Sequence, residues 1–297
     1  LGMAFMSELP CVVVDVQRGG PSTGLPTKHE QSDLFLAIHG GHGDAGRIVL
    51  SVESIHDCID LTVVAFNLAE KYQCPVLLLS DGSLAFSTQN VPYPNPDDYH
   101  VVERTRWNGE GEYRRYTLTE DGISPMADPG TPGGVHIATG LEHNEAGLPS
   151  YTSANHEAMQ AKRFRKLKNV VNDVEPTEVD GEGTADLGLI AWGSTIGVVR
   201  EALQRLRAEG YKVKGVYPKL LNPLPVQQFE DFGASCKRLL LPEVNFQGQL
   251  AHFVRAETSL RPESYTICGG MPFTPEMIVN KVREVLACTP PLLPKCI

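Results

Sequence analysis

Apolar residues fall along this chain in two kinds of run. Short blocks rich in β-branched residues, at positions 10–16, 48–51 and 76–79, have the length and composition of buried parallel strands. Between the last two, Ile55, Ile59, Val63, Phe66 and Leu68 recur at roughly helical spacing, which predicts a helix over residues 55–71. Another helix is predicted from about His29 to His39, after a loop rich in Gly, Pro and Thr at 17–27. Strands alternating with helices in this way imply a parallel, doubly wound sheet.

The same plan resumes after Asp186. Strands are predicted at 187–192, 213–217, 238–241 and 265–268, with helices at 195–209 and 247–257 and a last one opening near Thr274. Thr274 would cap that helix, Pro275 suits its first position, and Glu276 complements its dipole. The middle has a different texture. Pro92, Pro94 and Pro96 punctuate an extended segment, and a basic helix is expected over 155–171, with Lys162, Arg163, Arg165, Lys166 and Lys168 read as a solvated face or a subunit contact. The acidic run at 173–186 reads as a linker. The resulting division is 1–85, a first α/β region; 86–182, a connecting segment; and 183–297, a second α/β region.

Composition narrows the class. With 297 residues, 41% hydrophobic and 21% charged, the chain has the material for two globular domains. A net charge of −10 disfavours a nucleic-acid surface, which needs a basic face. No apolar stretch approaches the roughly 18 residues of a membrane span. The seven cysteines are odd in number and none falls at Cys-x-x-Cys spacing, against a zinc ribbon, a ferredoxin-type cluster loop or a disulfide framework. Cys11 and Cys74 sit in apolar runs as small hydrophobes, and a reducing, cytoplasmic compartment is expected.

The segment richest in chemistry follows the first strand: Asp15-Val16-Gln17-Arg18-Gly19-Gly20-Pro21-Ser22-Thr23-Gly24-Leu25-Pro26-Thr27-Lys28. Loops beyond the carboxyl ends of parallel strands are where open α/β sheets bind ligands. Arg18 can grip a carboxylate through paired charge-assisted hydrogen bonds, Gly19 and Gly20 allow close backbone approach, and Thr23 and Thr27 add hydroxyls. The alternative is a solvated turn whose Arg18 pairs with a local acid. The loop lacks the G-x-x-x-x-G-K-[ST] pattern of a nucleotide-binding loop. Gly193-Ser194-Thr195-Ile196-Gly197 reads as a tight strand-to-helix turn with a Ser or Thr cap in preference to an anion site. His39, His42 and Asp44, and the group Glu142-His143-Asn144-Glu145, lack metal-ligand spacing, so no metal site is assigned.

The run from Val14 through Lys28, continued by Glu30-Gln31-Ser32-Asp33-Leu34, closely resembles the α subunits of 2-oxoacid:ferredoxin oxidoreductases, in particular the 2-oxoglutarate type. Two other stretches resemble the same family. One is Thr139-Gly140-Leu141-Glu142-His143-Asn144-Glu145 with Lys162-Arg163-Phe164-Arg165-Lys166-Leu167, and the other is Glu243-Val244-Asn245-Phe246-Gln247-Gly248-Gln249-Leu250.

The resemblance implies an α/β protein of two transketolase-like doubly wound domains. The first would be an incomplete thiamine-diphosphate-binding fold holding the pyrimidine half of the cofactor, and the second a transketolase C-terminal-like domain. It implies oxidative decarboxylation of a 2-oxoacid to an acyl-coenzyme A with reduction of ferredoxin. Thiamine diphosphate is the implied cofactor, and Mg2+ and a [4Fe-4S] cluster would be held by a β subunit. By position in the motif, Arg18 corresponds to the arginine that binds the substrate carboxylate and Thr27 to a threonine lining the 2-oxoacid pocket. Lys28, Gly19 and Gly20 would shape the pocket. Pyruvate or a branched-chain 2-oxoacid is the alternative substrate, and a non-catalytic subunit-docking or coenzyme A-binding module is the alternative of another class. The family's γ-type domain and its cofactor-activating glutamate would lie before Leu1, so the chain reads as truncated, with no catalytic residue of its own and inactive in isolation.

Overall fold

The computed structural model describes residues 1–288. In chain order the elements are α1 (Gly2–Met6), β1 (Cys11–Gly19), β2 (Leu25–His29), α2 (Leu34–His39), β3 (Ile48–Ser51), α3 (Ile55–Tyr72), β4 (Pro75–Asp81) and α4 (Gly82–Ala85). They continue with α5 (Ser153–Arg165), β5 (Glu178–Asp180), β6 (Leu187–Ile190), α6 (Thr195–Ala208), β7 (Val213–Tyr217) and β8 (Leu220–Asn222). The last are α7 (Val226–Ala234), β9 (Leu239–Glu243), α8 (Gln249–Glu257), β10 (Glu263–Thr266) and α9 (Pro275–Ala287). Contacts group these into two interleaved units, one of Leu1–Gln17, Asp33–Pro176 and Lys219–Pro225, the other of Arg18–Ser32, Thr177–Pro218 and Val226 onward.

In the first unit the strand order is β1-β4-β3-β8, parallel except for β8. Ile48, Leu50, Val76 and Leu78 pack under α3. Ser54 caps that helix by accepting from the Asp57 amide at 3.1 Å, and Gln73 ends it in the left-handed region. Its buried face is Leu61, Ala65, Leu68, Ala69 and Tyr72. The helix is the expected one, but the face is not the one its large apolar residues suggested: Phe66 is exposed. Small alanines let the helix approach the sheet closely, and bulk alone did not identify them.

The basic helix is a correction. Lys162, Arg163 and Lys166 are fully buried, not solvated. Lys162 in α5 and Lys166 just past its end both reach the buried Glu8 carboxylate, and Arg163 forks onto Glu142. Burial alone would raise the Glu8 carboxyl, but Lys166 and Lys162 hold it down to about 2. Each charge leaves water only because an opposite charge lies within hydrogen-bond reach.

Asp15, in β1, behaves in the opposite sense. Burial first, and the nearby Asp33 second, raise its carboxyl from 3.8 to about 6. An acid whose pKa is higher folded than unfolded favours the protein while protonated, so its contribution declines as pH rises from about 4 to about 6. Asp15→Asn is expected to stabilise the fold above pH 6, by about 1 kcal/mol once solvent screening of this half-buried group is allowed for. Thermal melts from pH 4 to 8 check this: the gain should appear only as pH rises, and equal melting temperatures at pH 7.5 would contradict it.

In the second unit the strand order is β10-β9-β6-β7-β5, parallel except for β5. Leu187, Leu189, Leu240 and Val244 pack with Ile196, Val199 and Leu203 of α6 and Ile278 and Val282 of α9. Thr274 caps α9 as expected, accepting from the Met277 amide. The acidic run holds a strand where a linker was expected. β5 pairs with β7, with Glu178 and Asp180 bound by Arg200 and Arg207. These arginines neutralise the charge that made the run look solvated. The Gly193–Thr195 turn opens α6 as expected, but neither hydroxyl caps it; Thr195 bonds back to the Trp192 carbonyl at 2.6 Å. Among the described residues no helix is long and apolar enough to cross a membrane.

Candidate functional site

Residues 18–29 form a β-hairpin where a loop and then a helix were expected. β1 runs on to Gly19 and pairs antiparallel with β2, Arg18 opposite His29 and Gly19 opposite Leu25, with a register shift between the two. The helix expected from His29 begins only at Leu34, because residues 29–33 have other partners for their backbone groups. The hairpin tip is tight. Ser22 and Gly24 have φ of 55° and 42°, and a Cβ on Gly24 would stand 2.3 Å from the Gly19 carbonyl oxygen. Gly19 is also constrained, since a Cβ there would meet Leu25 Cβ at 2.7 Å. Gly20 has open space around it.

Arg18 folds back over this tip. Its Nη1 donates to the carbonyls of Thr23 at 2.6 Å and Gly19 at 3.2 Å, and its Nη2 to that of Ser22 at 3.1 Å. The guanidinium thereby braces the loop, in place of the local acid partner that was the alternative. Nε–H and one hydrogen of Nη2 have no partner among the described residues, and together such a pair can address one carboxylate. Thr27 and Lys28 lie exposed on β2, and no acid pairs with Lys28 among the described residues. All five sequence-predicted residues (Arg18, Gly19, Gly20, Thr27 and Lys28) are thus on one hairpin carrying two cations and no anion between Arg18 and Lys28.

Residues far away in sequence support the hairpin. Gly270, at φ 74°, lies so close to Lys28 that a Cβ would meet Lys28 Cβ at 2.4 Å. Gln31, fully buried, donates from Nε2 to the Trp192 carbonyl at 2.8 Å and accepts from the Val244 amide at 3.2 Å. Its own amide donates to the Val244 carbonyl at 2.6 Å, and its carbonyl accepts from Asn245 Nδ2 at 2.9 Å. Gln249 Nε2 donates to the Ser32 carbonyl at 2.7 Å.

Behind them Glu243 accepts from the Leu250 and Ala251 amides, Asn245 Nδ2 and Trp192 Nε1, which sets its carboxylate at the N-terminus of α8. Burial pushes the Glu243 carboxyl up, against the pull of these four donors. Polar residues in an otherwise apolar strand-to-helix turn are the one sequence signal that could have revealed this support. Elsewhere, His156 and Arg163 both bind Glu142, and burial opposed by these two partners leaves its carboxyl at about 2. Among the described residues no three His, Cys, Asp or Glu side chains are grouped to hold a metal ion.

Residues 1–163 match the family model for pyruvate flavodoxin/ferredoxin oxidoreductase, thiamine diphosphate-binding. This chain belongs to the 2-oxoacid:ferredoxin oxidoreductase family. Residues 185–278 match a second model of that family, the pyruvate:ferredoxin oxidoreductase core domain II.

Family relatives include subunit alpha of 2-oxoacid:ferredoxin oxidoreductase 2 from Aeropyrum pernix, 36% identical over 297 residues, covering 96% of this chain and 45% of the relative. The 2-oxoglutarate oxidoreductase subunit KorA of Mycobacterium tuberculosis is 37% identical over 290 residues, covering 97% and 44%. A solved structure of 2-oxoglutarate:ferredoxin oxidoreductase from Magnetococcus marinus, with 2-oxoglutarate, coenzyme A and succinyl-CoA bound, matches with 68% identity and a TM-score of 0.94. That match covers 96% of this chain and 50% of the solved one. The chain spans about half the length of these curated relatives. The two α/β units are the fold expected of the family.

Proposed function

We propose that this chain is the substrate-carboxylate half of a 2-oxoglutarate:ferredoxin oxidoreductase. In this reading it works with a β subunit to convert 2-oxoglutarate and coenzyme A to succinyl-CoA while reducing ferredoxin. The observation that carries the reading is the Arg18 hairpin, where a guanidinium braced on three carbonyls keeps Nε–H and one Nη2 hydrogen for a ligand and Lys28 lies exposed on the paired strand. Two cations on one short hairpin suit a dicarboxylate better than a monocarboxylate such as pyruvate. The 68% identity to a protein whose structure holds 2-oxoglutarate and coenzyme A supports the same choice.

Arg18, Thr27 and Lys28 fit an anionic substrate end, whereas the described residues offer no acidic cluster for a metal-bound diphosphate. Mg2+ and the [4Fe-4S] cluster therefore belong, in this proposal, to the partner subunit. The thiols of Cys11, Cys58, Cys74 and Cys236 are each raised by burial, away from the thiolate form a cluster needs. Thiamine diphosphate, when bound, supplies the carbanion chemistry. The chain's own residues bind and orient: Arg18 takes a substrate carboxylate, Thr27 donates a hydroxyl beside it, and Lys28 adds a second cation. Gly19 and Gly24 let the hairpin close tightly enough to hold Arg18 over its tip.

The test is a substrate panel on the full-length chain assembled with its β subunit, following coenzyme A-dependent ferredoxin reduction. A kcat/KM for 2-oxoglutarate at least about tenfold above those for pyruvate and branched-chain 2-oxoacids is expected, since a polar site discriminates against ligands that leave it unpaired. Preference for pyruvate would overturn the substrate assignment. Absence of turnover with every 2-oxoacid would overturn the enzyme reading.

A further inference from the structure

The hairpin that carries Arg18 has its stem fixed to a turn more than two hundred residues further along the chain. Gln31 and Asn245 are 214 positions apart and joined at 2.9 Å; both are fully buried, as is Glu243. Asn245 is the hub. Its Nδ2 reaches the Gln31 carbonyl and Glu243, and its Oδ1 accepts from the Gly248 amide at 2.7 Å. Gln31 pairs with Val244 through side chain and main chain, and its amide holds Trp192. Gln249 ties the next residue, Ser32. A buried polar network with this many mutual bonds fixes the groups it joins, because any rotation leaves a desolvated donor or acceptor unpaired. The turn therefore determines where the stem ends, and the stem determines where the Arg18 guanidinium sits.

We propose that Gln31, Asn245 and Gln249 are positioning residues for 2-oxoacid binding: they touch no substrate, and they set the place and rigidity of the hairpin that does. Glu243 orients Asn245 and anchors the turn to α8. The proposal rests on the assignment of the hairpin as the substrate-carboxylate site, and it adds that specificity is held in part by residues that touch no substrate.

The experiment uses the full-length enzyme with its partner subunit and compares three variants. Gln249→Ala removes one bond to the stem, and Gln31→Leu removes two. Thr258→Val removes a buried hydroxyl that bonds Val254 at 2.6 Å at the far end of α8, and serves as a matched loss of stability. Gln31→Leu is expected to raise KM for 2-oxoglutarate by roughly tenfold or more, the scale of a misplaced binding group. Gln249→Ala should raise it less, and KM for coenzyme A should stay constant in both. Amide hydrogen exchange across residues 19–28 should quicken in step with KM, while Thr258→Val changes neither.

Faster exchange without a KM change, or a KM rise equal in all three variants, would overturn positioning. Arg18→Ala run alongside separates the two failures. An unchanged KM there would remove the hairpin from substrate binding altogether, whereas a raised KM there with wild-type behaviour in Gln31→Leu and Gln249→Ala would remove only the positioning role.

Discussion

Arg18→Ala, in the full-length chain assembled with its β subunit, is expected to raise KM for 2-oxoglutarate about a hundredfold and to lower kcat as well. Two effects combine. The charge-assisted pair proposed between Arg18 and a substrate carboxylate would be lost, on the order of 2–3 kcal/mol for hydrogen bonds to a charged group. The tip also loses the donor that holds the Thr23, Ser22 and Gly19 carbonyls together. Arg18→Lys separates these contributions. An ammonium keeps the charge but has no planar fork, so it cannot brace three carbonyls and still present two parallel donors. Arg18→Lys should therefore remain well short of wild type, with KM raised at least about tenfold. Steady-state kinetics on both variants check this, and wild-type KM in Arg18→Lys would show that charge alone is what the site requires.

Glu8→Gln is expected to be the most destabilising single change in the first unit. It leaves the Lys162 and Lys166 ammonium groups, both 0% exposed, without a counter-charge. Breaking a buried ion pair from one side typically costs about 3–5 kcal/mol. The pH dependence follows from the lowered carboxyl. An acid held at about 2 contributes stability that is present above its ordinary value near 4.5 and lost as pH falls between the two. The difference in melting temperature between wild type and Glu8→Gln should thus be full at pH 7 and shrink steadily below pH 4.5. A gap that persists unchanged to pH 2.5 would show that the loss comes from packing and not from charge. Replacing all three residues together (Glu8→Leu, Lys162→Met and Lys166→Met) should recover much of the loss, since apolar groups of similar volume carry no desolvation cost.

Local pattern carried much of the fold. β3 and β7 lie at the residues predicted for them, and α9 starts at the Thr274-Pro275-Glu276 signal, because a strand's pattern and a helix's cap are written within a few neighbouring positions. What could not be read was set by partners remote in sequence. The basic run of α5 looks solvated until Glu8, 154 positions earlier, is placed against Lys162. The helix expected from His29 yields to the end of a strand and an irregular link to α2 because Gln31 finds Val244 and Asn245. In the candidate site, the residue types around Arg18 pointed to a carboxylate, and the hairpin gathers all of them. That Arg18 spends three hydrogen bonds on its own loop was invisible, since a guanidinium's partners depend on the path of the backbone around it.

The interleaving of the two units bears on how the chain is made. Residues 18–32 emerge from the ribosome well before the strands and helices they are grouped with, which follow residue 177. Closing so long a segment costs entropy that local contacts do not repay until the late partners exist. The Arg18 hairpin therefore waits, unanchored at its stem, while more than two hundred further residues are translated. It is secured only when Asn245 arrives, so the Arg18 hairpin takes its final place only after β3 and β4, which lie between in sequence, have been made.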